Sequence, residues 1–119
     1  MVERDSWPTE LKLDKDRGLL TISFDSGESF ILPAELLRVM SPSAEVQGHS
    51  PEERVTVPGK KSVRILRIEQ VGNYAARIVF DDGHDTGLYT WAYLRELGEN
   101  KESRWQDYLA ELAAKRLTR

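Results

Sequence analysis

The chain predicts a small α+β domain in which an antiparallel meander and a hairpin form one or two small sheets, with a short helix after the meander and two carboxy-terminal helices packed against them. Three observations predict it. Leu20, Ile22 and Phe24 alternate with Thr21 and Ser23, and after Asp25-Ser26-Gly27 a second run places Phe30 and Leu32 on one face. Gly72-Asn73 separates two runs rich in β-branched residues, a two-residue hairpin signal because glycine tolerates the positive φ that tight turns demand. Near the carboxy terminus, Trp105, Tyr108, Leu109 and Leu112 fall at i, i+3, i+4 and i+7, the spacing of one helical face.

Taken in order, residues 1–7 are expected to form a disordered or extended amino terminus and residues 8–119 the single domain. Pro8 favours an extended entry into the alternating Leu11-Lys12-Leu13, and Asp16-Arg17-Gly18 forms a turn before the meander continues. Pro33 suits the first position of a helix whose Leu36, Leu37 and Met40 make an apolar stripe and which Ser41-Pro42 ends. From Ser43 to Gly59, the prolines, Gly48 and scattered charges predict a long surface loop, interrupted by Val55-Thr56-Val57. The runs 63–71 and 74–80 make the hairpin; adjacent Ile65 and Leu66 break its alternation, which implies burial on both faces or a bulge. Thr90 caps a helix carrying Trp91, Leu94 and Leu97 that stops at Gly98, and Asn100 caps the last helix.

At 119 residues the chain is long enough for one core and too short for two. Its 39% hydrophobic and 31% charged content is that of a folded globular protein. A formal charge of -3 gives no pull toward nucleic acid or an anionic membrane, and the one basic cluster, Lys60-Lys61 with Arg64 and Arg67, dresses an exposed strand edge. Without cysteine there is no disulfide, thiolate metal site or cysteine nucleophile. No apolar signal core opens the sequence and no run approaches membrane-spanning length, so cytoplasmic residence is expected. The oligomeric state is not legible.

Candidate chemistry concentrates between residues 80 and 91. Asp81, Asp82, His84 and Asp85 are competent ligands for a divalent cation, with His49 in the long loop the only other imidazole. Against this stands a plain turn made by Asp82-Gly83, with solvated acids and a locally bonded His84. An oriented base from His84 and Asp85 is a weaker reading, since adjacency in sequence does not supply the required geometry. No nucleophile elbow, phosphate loop or metalloprotease motif occurs. Trp91 belongs to the apolar helix face, whereas Tyr89 is divided between core and contact surface.

The run Phe80-Asp81-Asp82-Gly83-His84-Asp85-Thr86-Gly87-Leu88-Tyr89-Thr90-Trp91-Ala92-Tyr93-Leu94, with Val71-Gly72-Asn73-Tyr74 before it and Leu37-Arg38-Val39-Met40-Ser41-Pro42-Ser43-Ala44-Glu45 earlier, resembles the gamma-butyrobetaine hydroxylase-like N-terminal domain family. The resemblance spans about Pro8 to Leu112. It implies a module that in some members holds zinc through three cysteines and a histidine. The histidine position is His84, but the cysteine positions fall on Ser41, Ser43 and Val46, which cannot replace thiolates. The resemblance implies no oxygenase activity here, because the iron-binding barrel is a separate domain and His84 is followed by Asp85 and Thr86 rather than a His-x-Asp pair. It does imply two partner classes: a P-loop ATPase of iron–sulfur cluster assembly, or an oxygenase.

The expected function is thus a non-catalytic adaptor using His84, Asp82, Asp85 and Tyr89 as its contact surface, with no cofactor. The alternative is a metal-binding protein with His84, Asp82, Asp85 and His49 as ligands.

Overall fold

The computed structural model describes residues 7–119, so the expectation for the amino terminus lies, apart from Trp7, outside the described residues. Six strands form two antiparallel sheets. The first has the order β1 (Pro8–Leu13), β2 (Leu19–Phe24), β3 (Ser29–Pro33); the second, β4 (Ile65–Val71), β5 (Ala75–Phe80), β6 (Leu88–Thr90). The helices are α1 (Ala34–Val39), α2 (Ala44–Gln47), α3 (Trp91–Glu99) and α4 (Lys101–Ala114), with one 3₁₀ turn at Pro51–Glu53. This is the predicted α+β class, with two sheets. No helix among the described residues is long and apolar enough to cross a membrane.

The alternating pattern of the meander becomes one buried face. Leu20, Ile22, Phe24 and Leu32 point inward, in a register that sets Leu20 opposite Leu32 and Ile22 opposite Phe30. Asp14 closes the β1–β2 turn by accepting hydrogen bonds from the backbone N–H groups of Gly18 and Leu19, while Arg17 takes a positive φ of 61°. Arg17 also ties the sheets together: its carbonyl accepts from the N–H of Ile65 and its guanidinium donates to the Leu66 carbonyl. Between and below the sheets, Leu36, Leu37 and Met40 of the α1 region meet Leu94 and Leu97 of α3 and Tyr108 and Leu112 of α4 in one core. Each such side chain contributes about 1.5–3 kcal/mol by leaving water.

Several elements differ in detail from expectation. Pro33 is not the first helical residue; it ends β3 with φ −65° and ψ 145° and stands as the N-cap, because its ring fixes φ and leaves ψ extended. The stretch 43–59 is not an open loop. α2 and the 3₁₀ turn fold it, Val46 and Thr56 are buried, the N–H of Val55 donates to the Val46 carbonyl, and Arg54 and Thr56 both bond to Glu111 of α4.

The hairpin loop has three residues, Gly72, Asn73 and Tyr74, rather than the expected two, since Val71 pairs with Ala75; of the two readings of Ile65-Leu66 the bulge is realised, with Ile65 buried and Leu66 about half exposed. Thr90 caps α3 through the N–H of Tyr93 as expected, but α3 runs past Gly98. There a Cβ would come within 2.4 Å of the Phe30 ring, so glycine serves close packing and not helix termination. Asn100 gives no side-chain cap to α4; its amide donates instead to the Glu96 carbonyl.

Candidate functional site

The turn between β5 and β6 is built by backbone bonds. The N–H of Gly83 donates to the Phe80 carbonyl, the N–H of Phe80 to the His84 carbonyl, and Gly83 supplies the φ of 92° that the reversal needs. Asp82 then organises it. One carboxylate oxygen accepts from the backbone N–H of His84, and the other from Arg38 of α1 and from Lys60, each at 2.7 Å. Partial burial pushes the Asp82 carboxyl upward, but the hydrogen bonds from Lys60, the His84 N–H and Arg38, with the Arg38 charge, outweigh it and hold the pKa down at about 2.

His84 is turned inward, its side chain 3% exposed. Its Nε2 lies 2.8 Å from the Ser41 hydroxyl and its Nδ1 3.1 Å from a carboxylate oxygen of Glu45. The Glu45 carboxylate can only accept, so Nδ1 carries the ring proton and donates to it; Nε2 of the neutral ring then accepts from the Ser41 hydroxyl, whose oxygen also accepts from the N–H of Ser43. Burial lowers the His84 pKa, the Arg38 charge lowers it further, and Glu45 and Asp82 oppose the shift. Beside it the Ser43 hydroxyl accepts from the N–H of Glu45 and pairs with Thr86 at 2.7 Å. Below, the Tyr89 and Tyr93 hydroxyls donate to the carbonyls of Leu37 and Met40, two acceptors that the end of α1 would otherwise leave unpaired. Among the described residues, Nη1 of Arg38 is buried with no hydrogen-bond partner.

Hydroxyl, imidazole and carboxylate thus stand in the order of a nucleophilic triad. The surroundings remove that chemistry. Ser41 has no exposed surface, and the Gly87 backbone lies so close that a Cβ there would come within 2.5 Å of Ser41 Oγ. A substrate carbonyl has no place to sit. The arrangement is a hydrogen-bonded latch joining the α1–α2 junction to the β5–β6 turn.

The predicted residues separate accordingly. Tyr89 is a core residue with no exposed surface, a correction to its reading as a contact residue. Asp82 is consumed by its cationic partners, while Asp85 is half exposed beside Arg77. Asp81 accepts from the N–H of Arg64, and His49 is held in its own loop by a bond from its N–H to Glu53. The four proposed ligands His84, Asp82, Asp85 and His49 are not brought together. Among the described residues, no three histidine, aspartate or glutamate side chains gather as they would around a metal ion. The carboxylate facing the imidazole is Glu45, not Asp85.

Glu45, Arg38 and Lys60 are the partners that residue patterns missed, because nothing in their spacing marks them. Ser41 and Ser43 were reachable only through the resemblance, which placed them at the family's cysteine positions; of the two, Ser41 bonds the His84 ring and Ser43 bonds Thr86.

A two-sheet α+β domain whose α1–α2 junction is latched to an Asp-Gly-His turn defines the class. The chain belongs to the gamma-butyrobetaine hydroxylase-like, N-terminal family, whose sequence profile matches residues 11–95. Among solved structures it is similar to a protein determined by NMR in solution, at 51% identity and a TM-score of 0.83, covering 97% of this chain and 86% of that one. A second NMR solution structure is 48% identical with a TM-score of 0.82, covering 96% and 90%. A crystal structure of a protein of unknown function from the DUF971 family of Acidithiobacillus ferrooxidans is 33% identical with a TM-score of 0.63, covering 76% of this chain and 91% of that one. No curated protein matches the chain.

Proposed function

We propose that this chain is a binding module without chemistry of its own, an adaptor that presents the surface around the Asp-Gly-His turn to a protein partner. The resemblance supplies the two partner classes, a P-loop ATPase of iron–sulfur assembly and an oxygenase. The observation that carries the reading is the internal satisfaction of the latch. Both ring nitrogens of His84 and both carboxylate oxygens of Asp82 bond to this chain's own groups, so the turn has a fixed shape and no free reactive atom. His84 and Asp82 act as its frame. Glu45 and Asp85, their side chains 64% and 46% exposed, face outward beside the exposed Asp81, and these acids are the contacts offered to a partner.

The test is isothermal titration of the full chain with a purified assembly ATPase and with a purified oxygenase, using the wild type and Asp85→Lys. Saturable heat with one of them, weakened in Asp85→Lys at unchanged melting temperature, is the expected result. Absence of binding to both classes, or identical affinity in the variant, overturns the reading.

A further inference from the structure

A cavity of about 250 Å³ opens between the start of α1 and the start of α4, with Glu35 in its wall. That volume falls below the roughly 300 Å³ at which small-molecule sites begin, so it suits one side chain rather than a cofactor. Glu35 is 7% exposed and is the only buried acid among the described residues. A carboxylate so placed needs a cation, since a buried charge left unpaired is strongly destabilising.

The walls of this cavity are set by the fold. Glu35 is carried by α1 and Trp105 by α4. The Trp105 ring lies against Tyr108, centroids 5.4 Å apart, and the Tyr108 hydroxyl donates to the Val57 carbonyl, which fixes the aromatic side. Pro33 and Leu36 add apolar surface. Lys101 also lines the cavity, yet its ammonium donates to the Ile31 carbonyl and leaves Glu35 to another cation. Glu102, exposed, is a second acid on the wall.

That cation is Arg119, and its side chain is what holds it. Nε and Nη2 donate to the two Glu35 carboxylate oxygens at 3.1 and 2.8 Å, and the guanidinium carbon lies 5.1 Å from the centre of the Trp105 ring. Residues 117–119 are neither helix nor strand, and among the described residues the backbone of Arg119 makes no hydrogen bond. The strap leading to it is tied at two points, by the N–H of Leu117 to the Leu112 carbonyl and by the N–H of Gly59 to the Thr118 carbonyl. A flat, forked cation suits a carboxylate beside an indole, and an ammonium has no fork. With 42% of its side chain exposed, Arg119 leaves the cavity partly open.

We propose that this cavity is a receptor for an arginine side chain, occupied here by Arg119 and open to the arginine of a partner when the strap of residues 115–119 lifts away. The incoming guanidinium takes both Glu35 oxygens and lies on the Trp105 ring, so the exchange replaces one cation by another and leaves no carboxylate unpaired. No residue of the Asp-Gly-His turn lines the cavity, and the inference therefore goes beyond the adaptor surface and stands without it.

The test titrates N-acetylarginine amide and its lysine counterpart into the full chain, as wild type and as Arg119→Ala, and follows the indole NMR signals with Trp91 as internal control. The expected result is a saturable shift of the Trp105 indole in Arg119→Ala at millimolar arginine amide, with Trp91 unmoved. In the wild type Arg119 competes at a millimolar effective concentration, so the apparent affinity is about tenfold lower. The lysine amide, which has no fork, binds about fivefold more weakly. Adding Glu35→Gln to Arg119→Ala abolishes the shift, while an unchanged Trp91 signal shows that the domain is still folded. No Trp105 shift in Arg119→Ala, equal responses of wild type and variant, equal responses to the two amides, or a response that survives Glu35→Gln overturns the proposal. An Asp85-dependent partner with no arginine response refutes the receptor and leaves the adaptor reading standing.

Discussion

The β5–β6 turn and the groove along β1 are opposites. The turn is dense in groups that chemistry uses, and nearly all of them are spent on one another: Ser41 and Glu45 on His84, Arg38 and Lys60 on Asp82. The groove, about 500 Å³ and lined by residues 7–11, Ile68, Gln70, Asn73, Ala76 and Trp91, is sparse: the Trp91 indole and the Gln70 amide are bonded to backbone carbonyls, and among the described residues its one carboxylate, Glu10, has no bonding partner. A cluster of acids and a histidine in sequence reports the composition of a place and not its availability. In a buried setting such groups must find partners, since an unsatisfied one costs about 1–3 kcal/mol, and the partners they find here come from their own chain.

Substitutions should therefore cost stability at the turn and little at the groove. The largest effect is expected for His84→Ala, which opens a cavity and orphans the Ser41 hydroxyl at once; a loss of about 2–4 kcal/mol in urea denaturation follows. A loss below about 0.5 kcal/mol would mean that the latch is ornamental. Gly87→Ala comes next. Its Cβ would collide with Ser41 Oγ, and overpacking of this kind costs about 1–3 kcal/mol.

Acid should unpick the latch in two stages. Above pH 6.5 His84 is neutral folded and unfolded alike and contributes no slope. Because its folded pKa is lowered, acidification below 6.5 protonates the unfolded chain first, and stability falls until the folded value is passed. Asp82, held at about 2 against an ordinary 3.8, contributes stability that is full above its ordinary pKa and is lost as pH falls from there through about 2. Denaturation at about pH 7.5, 5.5 and 3 should show both steps, and His84→Gln should remove the slope of the first. The smallest effect belongs to the groove: Glu10→Gln, which removes no hydrogen bond or ion pair among the described residues, should shift stability by less than about 0.5 kcal/mol, and a larger loss would show that Glu10 has a structural partner.

Much of the fold was legible. The alternation of Leu20, Ile22 and Phe24, the hairpin at Gly72-Asn73 and the Thr90 cap are local signals, and each appears where it was read, the hairpin with Tyr74 as a third loop residue. What escaped depends on distant partners. Gly98 reads as a helix stop by composition and is a packing contact because Phe30 lies against it. The stretch 43–59 reads as a loop by its prolines and is pinned because Glu111 waits on α4. Tyr89 could not be divided between core and surface until the Leu37 carbonyl was seen to take its hydroxyl. The Arg38–Asp82 bond joins residues 44 apart, and no periodicity carries such a pairing.

The measurement that bears most directly on the latch is a pH titration of the His84 ring nitrogens by NMR in the full chain. A single tautomer with the proton on Nδ1, titrating below 6.5, is the result predicted by donation from Ser41 and acceptance by Glu45 in a buried setting. A ring that exchanges between tautomers, or that carries its proton on Nε2, would contradict the latch; titration at or above 6.5 in the Nδ1–H tautomer would show that pairing with Glu45 outweighs burial.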